Sequence, residues 1–282
     1  GHGGQASTDA NRRLRDAGFK VGFHMMPGQP GMTKEMILED FRQLFEREAY
    51  RPDYLKIYPT LVVRGTRVYD QWRRDEFEPL DNEAAAEIIA EVMGMIPEYT
   101  RLQRVQRDIP ADFIDAGVWK SNLRQLAQQR ADEKGIDVRD IRAREAGMNE
   151  ADPDPERVEL SETTYQVAGG TEHFLAFEDP VADLLVGFCR LRFPNEPIRR
   201  ELDDAAIVRE LHVYGSEAGI GSGEGEWQHK GYGRRLIRRA EELAADAGYD
   251  ELAIISGIGA RAYYRDKLGY HQDGPYVSKS IR

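Results

Sequence analysis

The residues Gln228-His229-Lys230-Gly231-Tyr232-Gly233 lie between an apolar segment with its glycine-rich loop, "AAIVRELHVYG…SEAGIGSGEGEW", and a long amphipathic stretch, "RRLIRRAEELA". A strand, a glycine-rich loop and a helix in that order can cradle an anion. The first N–H groups of a helix lack intrahelical acceptors, and its dipole is positive at that end. Glycine lets a ligand approach the backbone with no Cβ in the way. Gly231 and Gly233 suit a plain tight turn equally well. No Lys-Ser or Lys-Thr pair follows, so the loop is not a nucleotide P-loop. The second chemical signal is a scarcity: there is one cysteine, Cys189, inside "LLVGFCRLRF". A single cysteine excludes a disulfide framework and suits a reducing compartment, and its apolar setting predicts a small buried strand residue.

The elements that must hold these groups follow two patterns. From Asp9 to about Val105, helices and strands alternate. Asp9–Ala17 reads as a helix stopped by Gly18, and "FKVGFHMMP" as a strand ended by Pro27. "TKEMILEDFRQLFERE" places Ile37, Phe41, Leu44 and Phe45 on one helical face, with Thr33 as N-cap. "YLKIYPT" reads as a strand, "NEAAAEIIAEVMGMI" as a helix capped by Asn82, and "TRLQRVQR" as a third strand. Such units imply a parallel sheet or part of a βα barrel. Three are too few to close a barrel and the chain opens on a helix already under way, so an upstream portion is expected to be missing. From about Val158 the pattern is strand-rich: Glu172–Phe177, Leu184–Phe193 and "AAIVRELHVYG". The glycine loop comes next, then a helix with Leu236, Ile237, Ala240, Leu243 and Ala247 at helical spacing and Gly248 as its stop. "DELAIISG" reads as a strand, "ARAYYRDKLG" as a short helix and "YVSKSI" as a last strand.

The chain of 282 residues is long enough for two domains; 40% hydrophobic and 32% charged residues describe a soluble globular protein. No apolar run approaches the roughly 20 residues of a spanning helix, so no membrane partner is expected. The net charge of −11 speaks against nucleic-acid binding at first sight. Between Tyr99 and Gly147, however, ten Lys and Arg face eight Asp and Glu. "NEADPDPERVEL", acidic and proline-bearing, then marks a domain boundary.

Gln-x-x-Gly-x-Gly between a strand and a helix resembles the acetyl-CoA pyrophosphate loop of the GNAT acetyltransferases. Taken together, "RELHVYG", "WQHKGYG", "ISGIGARAYYRDKLGY" and "GPYVSKS" resemble the acetyltransferase-type domain of the Elongator catalytic subunit family. "DAGFKVGFHMMPGQPGMT", "LKIYPTLVVRGTRVYDQW" and "RVQRDIPADFIDAGVWKSNLRQLA" are similar to that family's radical S-adenosylmethionine domain and linker. The resemblance spans essentially the whole chain, in order. It implies an α/β protein: a partial radical S-adenosylmethionine βα barrel (1–96), a bridging segment that could touch tRNA (97–150) and a GNAT-type acetyl-CoA-binding domain (151–282). The implied activity is cytoplasmic: acetyl-CoA-dependent carboxymethylation of the tRNA wobble uridine at C5 through radical chemistry, with thioester hydrolysis in the GNAT-type domain. The implied partners are the anticodon region of tRNA and either a second copy or Elongator-type subunits. S-adenosylmethionine and a 4Fe-4S cluster belong to the complete protein only, because the family's three cluster cysteines are absent here. Two alternatives stand beside this: a protein lysine acetyltransferase, and an RNA-binding remnant with a vestigial acetyl-CoA loop.

The resemblance also assigns residues. Tyr263 and Tyr264 follow the strand that faces the thioester, where one could protonate the CoA thiolate while the other packs in the core. Acetyl-CoA would lie along Glu210, Leu211, His212 and Val213, held chiefly by backbone, and against Trp227, Gln228, His229, Lys230, Gly231, Tyr232 and Gly233. His24, Met25, Met26 and Pro27, with Lys56 and Tyr58, would edge the S-adenosylmethionine pocket; the methionines suit a core equally. Arg101, Arg104, Arg107, Lys120 and Arg124 could meet tRNA phosphates or form a solvated face. Where the family often carries zinc cysteines, this chain has Val138, Asp140 and Ala143. No metal site is expected there, and Asp140 reads as a solvated loop acid.

Overall fold

The computed structural model describes residues 3–107, 109–148, 152–214 and 231–282. Contacts gather them into two compact units. One comprises Gly22–Arg47 and Arg51–Ala143. The other comprises the segment up to Val21, Glu48–Tyr50 and Arg144–Arg282. In chain order the elements are α1 (Gly4–Asp16), β1 (Gly22–Met25), α2 (Lys34–Glu46), β2 (Tyr54–Ile57), α3 (Arg67–Arg73), α4 (Asn82–Met93), β3 (Arg101–Arg104), α5 (Leu123–Glu133) and α6 (Ile141–Arg144). They continue as β4 (Glu159–Val167), β5 (Gly170–Asp179), β6 (Leu184–Phe193), β7 (Ala205–Val213), α7 (Tyr232–Asp246), β8 (Glu251–Ile255), α8 (Arg261–Leu268), β9 (His271–Asp273) and β10 (Tyr276–Ser280). The α/β class read from the sequence is the class observed.

The first unit is built on a three-stranded parallel sheet, β1-β2-β3. Leu55, Ile57 and Leu102 bury completely in it. α2 turns Ile37, Phe41, Leu44 and Phe45 inward, as their spacing predicts. Thr33 starts it, its hydroxyl accepting from Met36 N at 3.3 Å. The cap of α4 is Asp81 rather than Asn82: Asp81 Oδ1 accepts from Ala84 N at 2.8 Å. Asn82 is already helical, and its Oδ1 accepts from the Lys120 backbone instead.

The second unit is a seven-stranded sheet of order β4-β5-β6-β7-β8-β10-β9, antiparallel except for the β7–β8 pair. α7 covers one face with Leu236, Ile237, Ala240 and Ala244, packed against a cluster that includes Phe177, Cys189, Leu191, Val208 and Leu252. Ala247, expected on that stripe, is instead the exposed C-cap of α7, and Ala244 occupies the buried place. Cys189 is wholly buried, and burial pushes its thiol up.

In the same unit, α1 contributes Arg15 and Asp16 to a set of charges with no solvent contact. Arg192 pairs with Asp16 at 2.6 Å and with Glu172 at 3.1 Å. Glu172 also lies 2.9 Å from Arg209 and 3.6 Å from Arg15. Arg15 further donates to Asn11, and Arg209 to the Phe19 carbonyl. Charges stripped of water persist only when paired and hydrogen-bonded in this way.

Candidate functional site

In the seven-stranded unit, β7 runs on past its partner. It pairs with β8 from Ala205 to Val208 only, yet stays on β6 out to Val213. The residues beyond Val208 therefore present a main-chain edge without a β8 rung. Beside that edge is a cleft of about 400 Å³ lined by Lys20, Glu210, Leu211, His212, Ser256 and Tyr264, among others. Gly231 has φ of 71°, the left-handed conformation that glycine takes without strain. It is the N-cap of α7, and among the described residues no side chain caps that end. Gly233 faces the strand edge and the tyrosine: a Cβ there would lie at ordinary contact distance, 3.6 Å from Val213 Cγ2, 3.8 Å from Leu211 Cδ2 and 4.0 Å from the Tyr263 hydroxyl. A helix N-terminus, a strand edge with no β8 rung and a phenol thus converge on one place. Tyr232 is buried in the core beneath α7. Trp227, Gln228, His229 and Lys230 lie outside the described residues.

The structure separates the two tyrosines. Tyr264 is 6% exposed, walls the cleft, and has its phenol pushed up, chiefly by burial. Tyr263 is 41% exposed, its ring edge-on to Tyr264 with centroids 5.4 Å apart. Glu210 carries charge into the same cleft. Burial pushes its carboxyl up, but Arg190 at 2.9 Å and Lys20 at 3.0 Å outweigh that and hold it below the usual value. His212 is exposed, stacked on Phe188 and tilted against Tyr214. Sequence reading missed Lys20 and Arg190, whose partner Glu210 lies 190 and 20 residues away.

In the parallel-sheet unit, His24 and Lys56 are register partners at the C-terminal ends of β1 and β2, where βα loops carry ligands. Tyr58 meets His24 edge-on at 5.5 Å, and Arg107 lies 5.7 Å over the Tyr58 ring. Desolvation first, then Lys56 and Arg107, lower the His24 imidazole below its ordinary 6.5. Tyr58 N donates to Met25 O, and Thr60 N to Pro27 O. Met25 is half-buried and Pro27 buried, whereas Met26 is 40% exposed.

Arg104, Arg107, Lys120 and Arg124 line a single cleft of about 790 Å³ in that unit. Arg101 stands outside the lining, half-buried at the start of β3. Arg124 donates to the Leu102 carbonyl at 2.6 Å, and burial lowers its guanidinium to about 10. No carboxylate is among the described lining residues, and an exposed Trp119 is.

Asp140 corrects the sequence reading. It is 1% exposed, and its Oδ2 accepts from Leu102 N at 2.9 Å and Arg142 N at 3.0 Å. Burial pushes its carboxyl up against these bonds. Two backbone donors hold it inside, so it is a structural acceptor rather than a solvated loop acid. Among the described residues no three His, Cys, Asp or Glu side chains are grouped as metal ligands. No described helix is long and apolar enough to cross a membrane.

Residues 52–133 match the Radical_SAM C-terminal domain model and residues 136–270 the Acetyltransferase (GNAT) family model. A tRNA uridine(34) acetyltransferase of Methanocaldococcus infernus is 43% identical over 100% of this chain and 54% of its own length. Elongator complex protein 3 of Homo sapiens is 42% identical over 100% of this chain and 52% of its own length. The chain thus spans about half the length of the curated relatives it matches. The solved structure of the archaeal Methanocaldococcus infernus Elp3 with N-terminus deletion superposes with a TM-score of 0.93 at 43% identity, covering 99% of this chain and 67% of that one.

Proposed function

The chain belongs to the family of Elongator complex protein 3 and the tRNA uridine(34) acetyltransferases, and on that premise we propose that it serves cytoplasmic, acetyl-CoA-dependent carboxymethylation of the tRNA wobble uridine. The observation that carries this reading is the meeting, around Gly233, of the β7 edge beyond its β8 pairing, the start of α7, which no described side chain caps, and Tyr263. Glu210–Val213 would hydrogen-bond the pantetheine arm through the backbone, and the N-terminal turn of α7 would receive the pyrophosphate. Tyr263, exposed beside Gly233, would give its proton to the departing CoA thiolate as the thioester is hydrolysed. Tyr264 would wall the cleft, its phenol kept protonated by burial.

His24, Lys56 and Tyr58, with Met25, Met26 and Pro27 behind them, would edge the S-adenosylmethionine pocket at the strand ends. The 4Fe-4S cluster does not fit the residues present. A cluster needs several thiolates; this chain carries one cysteine, and Cys189 is wholly buried in β6 with its thiol pushed up. No step here runs through the cluster. Arg104, Arg107, Lys120 and Arg124 would face tRNA phosphates, and Arg101 supports that surface less directly. A second copy or Elongator-type subunits as further partners rest on the family resemblance.

The test is thiol release from acetyl-CoA by the chain alone, with tRNA, and with a lysine-rich peptide. Release stimulated by tRNA, and lowered about a hundredfold by Tyr263→Phe, is expected. Acetyl transfer to the peptide with indifference to tRNA would replace this reading with a protein acetyltransferase.

A further inference from the structure

One side chain in the basic cleft is explained neither by packing nor by phosphate contact. Trp119 is 60% exposed. A tryptophan gains most from burial, so one held in water on a loop calls for a reason. The backbone around it is fixed from both sides. Ala116 pairs with Val62 in an isolated antiparallel bridge, and Asp115 N donates to Val62 O at 2.9 Å. Gly117 has φ of 108°, and a Cβ there would lie 3.2 Å from the Thr60 carbonyl oxygen. Val118 is wholly buried, and Lys120 N donates to Asn82 Oδ1 at 3.1 Å. The indole is therefore presented from a tethered backbone, which lowers the ordering cost of using it.

Its surroundings select the partner. The same cleft is lined by Arg104, Arg107, Lys120 and Arg124; Lys120 also lies 3.8 Å from Glu83, outside that lining, and Arg124 donates to the Leu102 carbonyl. An apolar protein surface would be poorly matched to four cations. A polyanion with flat apolar faces is well matched, and single-stranded nucleic acid is that polymer: phosphates for the cations, an unpaired base for the indole. A duplex would offer the phosphates, but its bases are already stacked.

We propose that Trp119 is a stacking platform for an unpaired base of RNA, seated in the cleft whose cations hold the flanking phosphates. This rests on the reading that the cleft meets tRNA and adds which feature of it is gripped: an unpaired loop nucleotide rather than a stem.

The test measures binding to the full chain of three probes: oligouridine, an RNA hairpin with an unpaired loop, and a blunt RNA duplex. Trp119→Ala is expected to weaken oligouridine and hairpin binding roughly 5- to 150-fold, the range of one lost base–aromatic stack. Duplex affinity and the slope of log affinity against log salt are expected to stay unchanged, because no phosphate contact is removed. Trp119→Phe should restore most of the loss. Trp119→Ala affinity equal to that of the wild type for every probe, or equal weakening of duplex and loop, overturns the platform. In that case, salt-dependent binding that survives in the wild type leaves the tRNA-facing cleft standing. Wild-type protein that binds no probe removes both.

Discussion

In the seven-stranded unit, Arg15, Arg192 and Arg209 are wholly buried and answered by Asp16 and Glu172. In the parallel-sheet unit, Arg104, Arg107 and Lys120 stand in a cleft wall without a carboxylate among its described residues. The same kind of side chain does opposite work in the two places. Buried guanidinium groups spend their donors on fixed acceptors; their field is cancelled locally and they specify geometry. Cations on a solvent-facing wall keep part of an outward field even where, as at Lys120, a carboxylate (Glu83) lies 3.8 Å away, and that field is available to a phosphate. The acidic total of −11 hides this, because net charge averages over both kinds of region.

Glu172 serves three buried arginines. Glu172→Gln leaves uncompensated positive charge out of solvent and should destabilise the unit by about 3–5 kcal/mol. Urea unfolding followed by circular dichroism reads this out, and a loss below 1 kcal/mol would mean the pairing is incidental. Asp140 is the smaller counterpart in the other unit. Asp140→Ala strands the Leu102 and Arg142 N–H groups and should cost about 1–3 kcal/mol in the same measurement. A neutral result would place those donors in water. Thr33→Ala removes one N-cap acceptor from α2 and should cost about 1 kcal/mol.

The His24 imidazole is held below its ordinary 6.5 by desolvation, Lys56 and Arg107. A folded value below the unfolded one means the fold favours the neutral ring. That preference contributes above about pH 6.5 and is lost as the pH falls through the folded value. A proton NMR titration of His24 should give a midpoint under 6.5, moving upward in Arg107→Gln. A midpoint at or above 6.5 contradicts the cluster.

What could be read in the sequence was what local spacing determines. Thr33 and the Ile37, Phe41, Leu44 and Phe45 stripe declare α2 within one helical turn each, and Gly231 and Gly233 mark the start of α7. Asn82 misled because Asp81 beside it is an equally good cap, and only the distant Lys120 backbone claims the Asn82 side chain. β4 escaped notice because it is a polar edge strand that buries only Tyr165 and Val167. The burial of Asp140 and the Lys20–Glu210–Arg190 grouping arise from tertiary packing, which no short window of residues records. Trp119 had a readable signal, a tryptophan directly beside Lys120 in the basic segment. Its exposure, which gives that signal meaning, needed the fold.

On the proposed function, the outward-facing cations, and not the buried ones, would meet tRNA phosphates. The most direct measurement is tRNA affinity against salt for the wild type, Arg104→Ala and Lys120→Ala. Affinity is expected to decline steeply with salt, with the slope of log affinity against log salt reduced by about one unit in each variant. Slopes identical to the wild type, with affinity intact, would contradict it.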